Sequence, residues 1–101
     1  MTVVHVVTLS LQSDELDTVI TNLSAALDDL AGEVDAKSYH HGRDLHIRDG
    51  NADYAITAIF SDEQTFRAYM ESPKHQRIIR ELVTPHLKAR SAVQFAAVEL
   101  E

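Results

Sequence analysis

The chain has no cysteine, only three glycines and two prolines among its 101 residues, and its nine basic residues are outnumbered by sixteen acidic ones. Without cysteine there can be no disulfide, no thiolate metal site and no cysteine nucleophile, and a reducing compartment is permitted. So few glycines leave no phosphate-cradling loop: Gly42 and Gly50 read as turns, and neither opens a helix. The formal charge of -7 repels phosphate backbones and anionic lipid headgroups, so neither nucleic acid nor a membrane is an expected partner. No run approaches the roughly 18 apolar residues of a membrane span. The apolar run from Val3 to Leu9 lacks a basic leader and is interrupted by His5, unlike a signal peptide, and the expected location is the cytoplasm.

What is present is an ordinary globular composition, 45% apolar and 25% charged, without low-complexity tracts. The length is that of one domain, residues 1–101, with no internal repeat or linker. A domain of this size buries only about 60 to 65% of its unfolded surface, so a partner subunit would relieve a marginal core.

Val3, His5, Val7, Leu9 and Leu11 alternate onto one face and predict a first strand over 3–11. Ser13 is placed to cap a helix with Asp14 and Glu15 in its first turn, followed at helical spacing by Leu16, Val19, Ile20, Leu23, Leu27 and Leu30, with Gly32 at its end. Residues 34–48 are polar apart from Val34, Tyr39, Leu45 and Ile47, which predicts an irregular or edge strand. After the turn signal Asp49–Asp53, the segment Tyr54–Phe60 is apolar on both faces and reads as a central strand. Ser61-Asp-Glu-Gln64 has the form of a capping box, opening a helix that contains Phe66, Tyr69 and Met70. Ser72-Pro73 restarts the helix, with Ile78, Ile79, Leu82 and Val83 facing inward. Residues 91–100 predict the last strand, through Val93, Phe95 and Val98. The order implies an α+β fold: a ferredoxin-like antiparallel four-stranded sheet with helices on one face. The other face needs cover, and a second copy stacking its own sheet there would give a homodimeric α+β barrel.

The landmarks resemble those of the stress-responsive A/B barrel domain (Dabb) family over nearly the whole chain. They are Val3-Val-His5-Val-Val7, then Asp53-Tyr54-Ala-Ile-Thr-Ala-Ile-Phe60, then Phe66-Arg-Ala-Tyr69-Met-Glu-Ser-Pro73-Lys-His75, and Pro85 before the closing strand. Two positions depart from the pattern. Ser72 stands where many members carry histidine, and Gln94 where the family often has an aspartate facing the first-strand histidine, so His5 lacks an anionic partner that would favour its protonated form. Many members of the family are known only as stress-linked proteins, while plant relatives include a polyketide cyclase working by aldol condensation. The resemblance implies Tyr69 and His75 as catalytic residues, with His75 as general base and Tyr69 as donor to an enolate oxygen. His5, Tyr54, Gln94 and Phe60 would bind the ligand, a small aromatic or polyketide-like molecule, with no cofactor.

Each of these residues also has an ordinary structural role available. His75 can tidy a helix start, Tyr69 can be a core ring with its hydroxyl at a rim, and His5 can be a neutral histidine bonded to Gln94. The expectation is therefore a cyclase or lyase, against a non-catalytic stress or ligand-binding protein, or a cofactor-free monooxygenase of the related dimeric barrel type. No metal site is expected, because His40, His41 and His46 have no recognised ligand spacing and read as surface residues. Arg43 and Arg48 read as partners for surface acids.

Overall fold

The computed structural model describes residues 1–98. Strand β1 runs Thr2–Leu11, helix α1 Leu16–Ala31, β2 Ser38–Arg43, β3 Tyr54–Phe60, α2 Glu63–Glu71, α3 Pro73–Ile78 and β4 Leu87–Ala97. A wider π-type turn at Ile79–Val83 and a tight 3₁₀ turn at Thr84–His86 join α3 to β4. The strands form one antiparallel sheet in the order β2-β3-β1-β4, the ferredoxin-like arrangement expected.

The alternation in β1 does what its period requires. Val3, His5, Val7, Leu9 and Leu11 are buried against the helices, and the intervening residues lie on the other face. In β3, Tyr54, Ile56, Ala58 and Phe60 face the same way, and Ile20, Leu23, Leu27 and Leu30 of α1 close the core from above. β1 ends in a register shift at Ser10/Leu11, where the Asp53 carboxylate accepts the Leu11 amide at 2.7 Å, a buried donor satisfied by a side chain where the ladder fails.

Several details differ from the expectations, each for a local reason. The cap of α2 is Asp62, whose Oδ1 accepts from both the amide and the hydroxyl of Thr65 at 2.7 Å. A carboxylate at the positive end of a helix out-competes the neighbouring Ser61 hydroxyl. Ser13 accepts the Glu15 amide at 3.0 Å, capping a leading turn one step before α1 begins. Gly32 follows α1 with right-handed backbone angles, so the helix end makes no use of glycine's freedom. Gly50, at φ 86°, does need it. Leu45 and Ile47 are exposed in the β2–β3 connection and anchor nothing. β4 begins at Leu87, four residues before the expected start, and positions 99 and 100 of the expected strand lie outside the described residues.

Among the described residues nothing covers the second face of the sheet. It carries Val4, Val6 and Thr8 of β1, Ala55, Thr57 and Ile59 of β3, and Val93 and Phe95 of β4, the last two about half exposed (53% and 51%). Among the described residues no helix is long and apolar enough to cross a membrane.

Candidate functional site

The break between α2 and α3 determines the site. Pro73 cannot continue a helical hydrogen-bond ladder and keeps Ser72 out of the helical region, at φ -56° and ψ 127°. Ser72 closes α2 through its amide to the Tyr69 carbonyl. It opens α3 through its hydroxyl, which accepts the His75 amide at 3.4 Å. The chain turns at this point, and residues six apart in sequence meet: the rings of Tyr69 and His75 lie 4.4 Å between centroids, tilted by 50°.

His5 approaches the same place from the sheet. It stands opposite Gln94 in the β1–β4 register, and the Gln94 amide nitrogen donates to His5 Nδ1 at 2.9 Å, which leaves the ring proton on Nε2. The His5 ring packs 5.0 Å from Phe66 and 6.0 Å from Tyr69. Burial, then the nearby His75 and Arg90, push its pKa down to about 4. A carboxylate at position 94 would have opposed that shift, so the glutamine and the neutral ring belong together. His75 also sits below its ordinary value, chiefly through burial, with Arg90 adding to the effect and the Met70 backbone opposing it. Its Nδ1 is buried and has no hydrogen-bond partner.

Tyr69 is buried at the centre of the aromatic cluster, its hydroxyl 3.0 Å from that of Tyr39 on β2. Burial, then Tyr39, raise its pKa, so the phenol stays protonated across the working range. His5, Tyr69 and His75 line a mainly apolar cavity of about 190 Å³, together with Met70, Thr84 and Arg90 and apolar side chains of β1, β3 and the α3–β4 segment. The π-type turn contributes Ile79 and Val83 to this wall, and such turns recur at functional sites. A larger hollow of about 340 Å³ between α1 and α2 is rimmed by Glu33, Asp35 and Gln64 and contains no imidazole. It is a groove between helix surfaces, whereas the smaller cavity is lined by two imidazoles and a phenol.

The other sequence candidates lie elsewhere. Gln94 stands behind His5 and bonds to it without lining the cavity. Phe60 is fully buried behind the cluster, 5.3 Å from Tyr69 and 5.5 Å from Phe66. The Tyr54 hydroxyl points away from the cavity to His41 Nδ1 at 2.6 Å, and His41 Nε2 meets Asp28 at 2.7 Å. His41, read as a surface residue, has a side chain only 8% exposed. His40 is exposed, and its β-register partner Thr57 places it on the open face. Arg43 pairs with Asp17 at 3.0 Å. Among the described residues no group of three or more histidines and acids is placed to hold a metal ion.

The sequence reading missed Arg90, Met70 and Tyr39. Arg90 fell outside because the last strand was expected to begin at 91. With β4 beginning at Leu87, Arg90 stands opposite Leu9, on the helix-facing side. The signal was weak, because Leu87 faces the helices while Ala89, Ser91 and Val93 face the other way after the register shift.

A dimeric ferredoxin-like protein of unknown function from Thermobifida fusca has a similar structure, with TM-score 0.88 and 31% identity over 96% of this chain and 92% of that one. A second dimeric ferredoxin-like protein of unknown function, from a Jannaschia species, aligns with TM-score 0.77 and 21% identity over 96% and 100% of the two chains. A hydroxynitrile lyase from Passiflora edulis aligns with TM-score 0.80 and 19% identity over 99% and 96%, a likeness of fold. No curated protein matches the chain. The model of the Stress responsive A/B Barrel Domain matches residues 3–97, and the chain belongs to that family.

Proposed function

We propose that the cavity binds a small aromatic molecule and that the protein acts on it as a cofactor-independent lyase or cyclase, with His75 as base and Tyr69 as donor to the developing oxyanion. The observation that carries this reading is a buried imidazole with a lowered pKa, its ring centroid 4.4 Å from that of a tilted phenol ring on the wall of a mainly apolar cavity. An imidazole held neutral at working pH can accept a proton, and a phenol held protonated can donate one. In the step proposed, His75 takes a proton from carbon next to a carbonyl. The C–H pair becomes a C=C bond, and the carbonyl pair moves to the oxygen, which accepts from the Tyr69 hydroxyl. The enolate then attacks a second carbonyl, forming a C–C bond, or expels a leaving group, and His75 returns the proton.

Size supports a single ring: an engineered apolar cavity of about 150 Å³ in another protein holds benzene, and the volume here, about 190 Å³, adds room for one substituent. The hydroxynitrile lyase of Passiflora edulis shares the fold, which supports lyase chemistry within this architecture. The half-exposed Val93 and Phe95 on the uncovered sheet face, and the dimeric relatives, support a homodimer formed by isologous stacking of those faces. Sedimentation equilibrium is expected to report a dimer, and a monomer at every concentration would remove that part of the reading.

One observation favours binding without turnover: the Tyr69 hydroxyl already has a partner in Tyr39, 3.0 Å away. Acetophenone in D₂O separates the two readings. Wild type is expected to exchange the methyl protons of acetophenone, and His75→Ala is expected to lose that exchange. A raised melting temperature with acetophenone and no exchange above background would leave a ligand-binding protein and overturn the catalytic roles.

A further inference from the structure

We propose that the ligand of this cavity is a single-ring aromatic carboxylate, and that Arg90 selects it by pairing with the carboxylate. This rests on the reading of the cavity as a ligand site. Arg90 lines the cavity beside His5 and His75. Among the described residues no hydrogen bond or ion pair joins it to a carboxylate, although the chain has sixteen acidic residues. Arg43, Arg67 and Arg77 each lie within ion-pair distance of a carboxylate, at 3.0, 2.8 and 3.9 Å. Arg48 and Arg80, exposed elsewhere on the surface, likewise have no carboxylate partner among the described residues; what sets Arg90 apart is that it is an unpaired cation on the wall of a cavity.

The rest of the wall supplies what an aromatic acid would need. Apolar side chains receive the ring, and the planar guanidinium matches a carboxylate with two parallel hydrogen bonds. The attraction is stronger beside an apolar cavity than in open water. His5 and His75 do not compete as cations. With Gln94 donating to Nδ1, His5 carries its proton on Nε2, and it is a neutral donor beside the same cation. Among the described residues no carboxylate lines the cavity to repel the ligand. The volume of about 190 Å³ limits the ligand to one ring with a small group.

The test compares benzoate with its neutral isostere benzamide on wild type, Arg90→Gln and Arg90→Lys, by titration calorimetry and thermal shift. Arg90 is exposed at the mouth, so the unliganded variants are expected to melt close to wild type. Benzoate is expected to bind more tightly than benzamide. Arg90→Gln should weaken benzoate about tenfold or more while leaving benzamide unchanged, and Arg90→Lys should restore part of the difference. Equal binding of both compounds, unaffected by Arg90→Gln, would overturn the carboxylate assignment and leave the cavity standing as a neutral ligand site. Binding of neither compound would overturn the assignment together with the ligand-site reading beneath it.

Discussion

Two of the phenol–imidazole pairs in the molecule, Tyr54 with His41 and Tyr69 with His75, are built in opposite ways. Tyr54 and His41 are joined end to end, hydroxyl to Nδ1 at 2.6 Å, and the far nitrogen is taken by Asp28 at 2.7 Å. Each polar atom of that chain has a partner, and the rings bridge β3, β2 and α1. Tyr69 and His75 touch only through their rings, 4.4 Å between centroids and tilted by 50°, with His75 Nδ1 buried and without a hydrogen-bond partner beside a cavity. A satisfied buried network rigidifies a fold, whereas a buried polar group kept without a partner costs stability and calls for another reason to exist. The difference in hydrogen bonding, more than the residue types, separates a structural pair from a candidate site.

Exchanging one member of each pair sharpens that contrast. His75→Ala is expected to reduce proton exchange by about 10²-fold or more, the usual worth of a general base, with a small effect on melting. Tyr54→Phe is expected to do the reverse. It strands His41 Nδ1 and costs about 1–3 kcal/mol, read as a drop in melting temperature of roughly 4–8 °C per kcal/mol, with exchange retained. If Tyr54→Phe abolished exchange and His75→Ala did not, the two roles would have to be interchanged.

The acid side gives a smaller, directional effect. His5 has a folded pKa of about 4 against 6.5 for the free side chain, so between those values the unfolded chain binds a proton that the folded one excludes. The contribution is fully present above pH 6.5, declines as pH falls through that window, and is gone near 4; His75 acts in the same direction. The loss attributable to His5 is at most about 3 kcal/mol. Gln94→Asp places a carboxylate beside the ring, raises its pKa and should flatten the decline. Melting curves at pH 7, 5.5 and 4 check this. A steeper decline in Gln94→Asp would contradict the assignment of the window to His5.

Much of the frame was legible because it depends on period. The leucines of α1, the alternation of β1 and the break at Pro73 are local patterns with one geometric solution each. The pairing of His5 with Gln94 was legible through the family resemblance alone, in which the residue at this position faces the first-strand histidine. Other features depend on which way an ambiguous residue faces. His40 and His41 must point to opposite sides, but the polar β2 segment does not say which of them turns inward. The start of β4 was obscured by alanine and serine, and with it went Arg90, whose importance comes only from standing opposite Leu9. The cap moved from Ser61 to Asp62 because two good acceptors are adjacent there. An apolar pocket between sheet and helices was expected, but its size was out of reach, because volume arises from how α2, α3 and the turn after it fail to fill the space over β1.

The most direct measurement is the long-range ¹H–¹⁵N spectrum of the imidazoles, recorded with and without benzoate at pH 7. The expected result is that the nitrogen signals of His5 and His75 move together on addition of ligand while those of His41 stay in place. Movement of His41 with His5 and His75 unchanged would put the ligand at the Tyr54–His41–Asp28 chain and contradict the assignment of the cavity as the site.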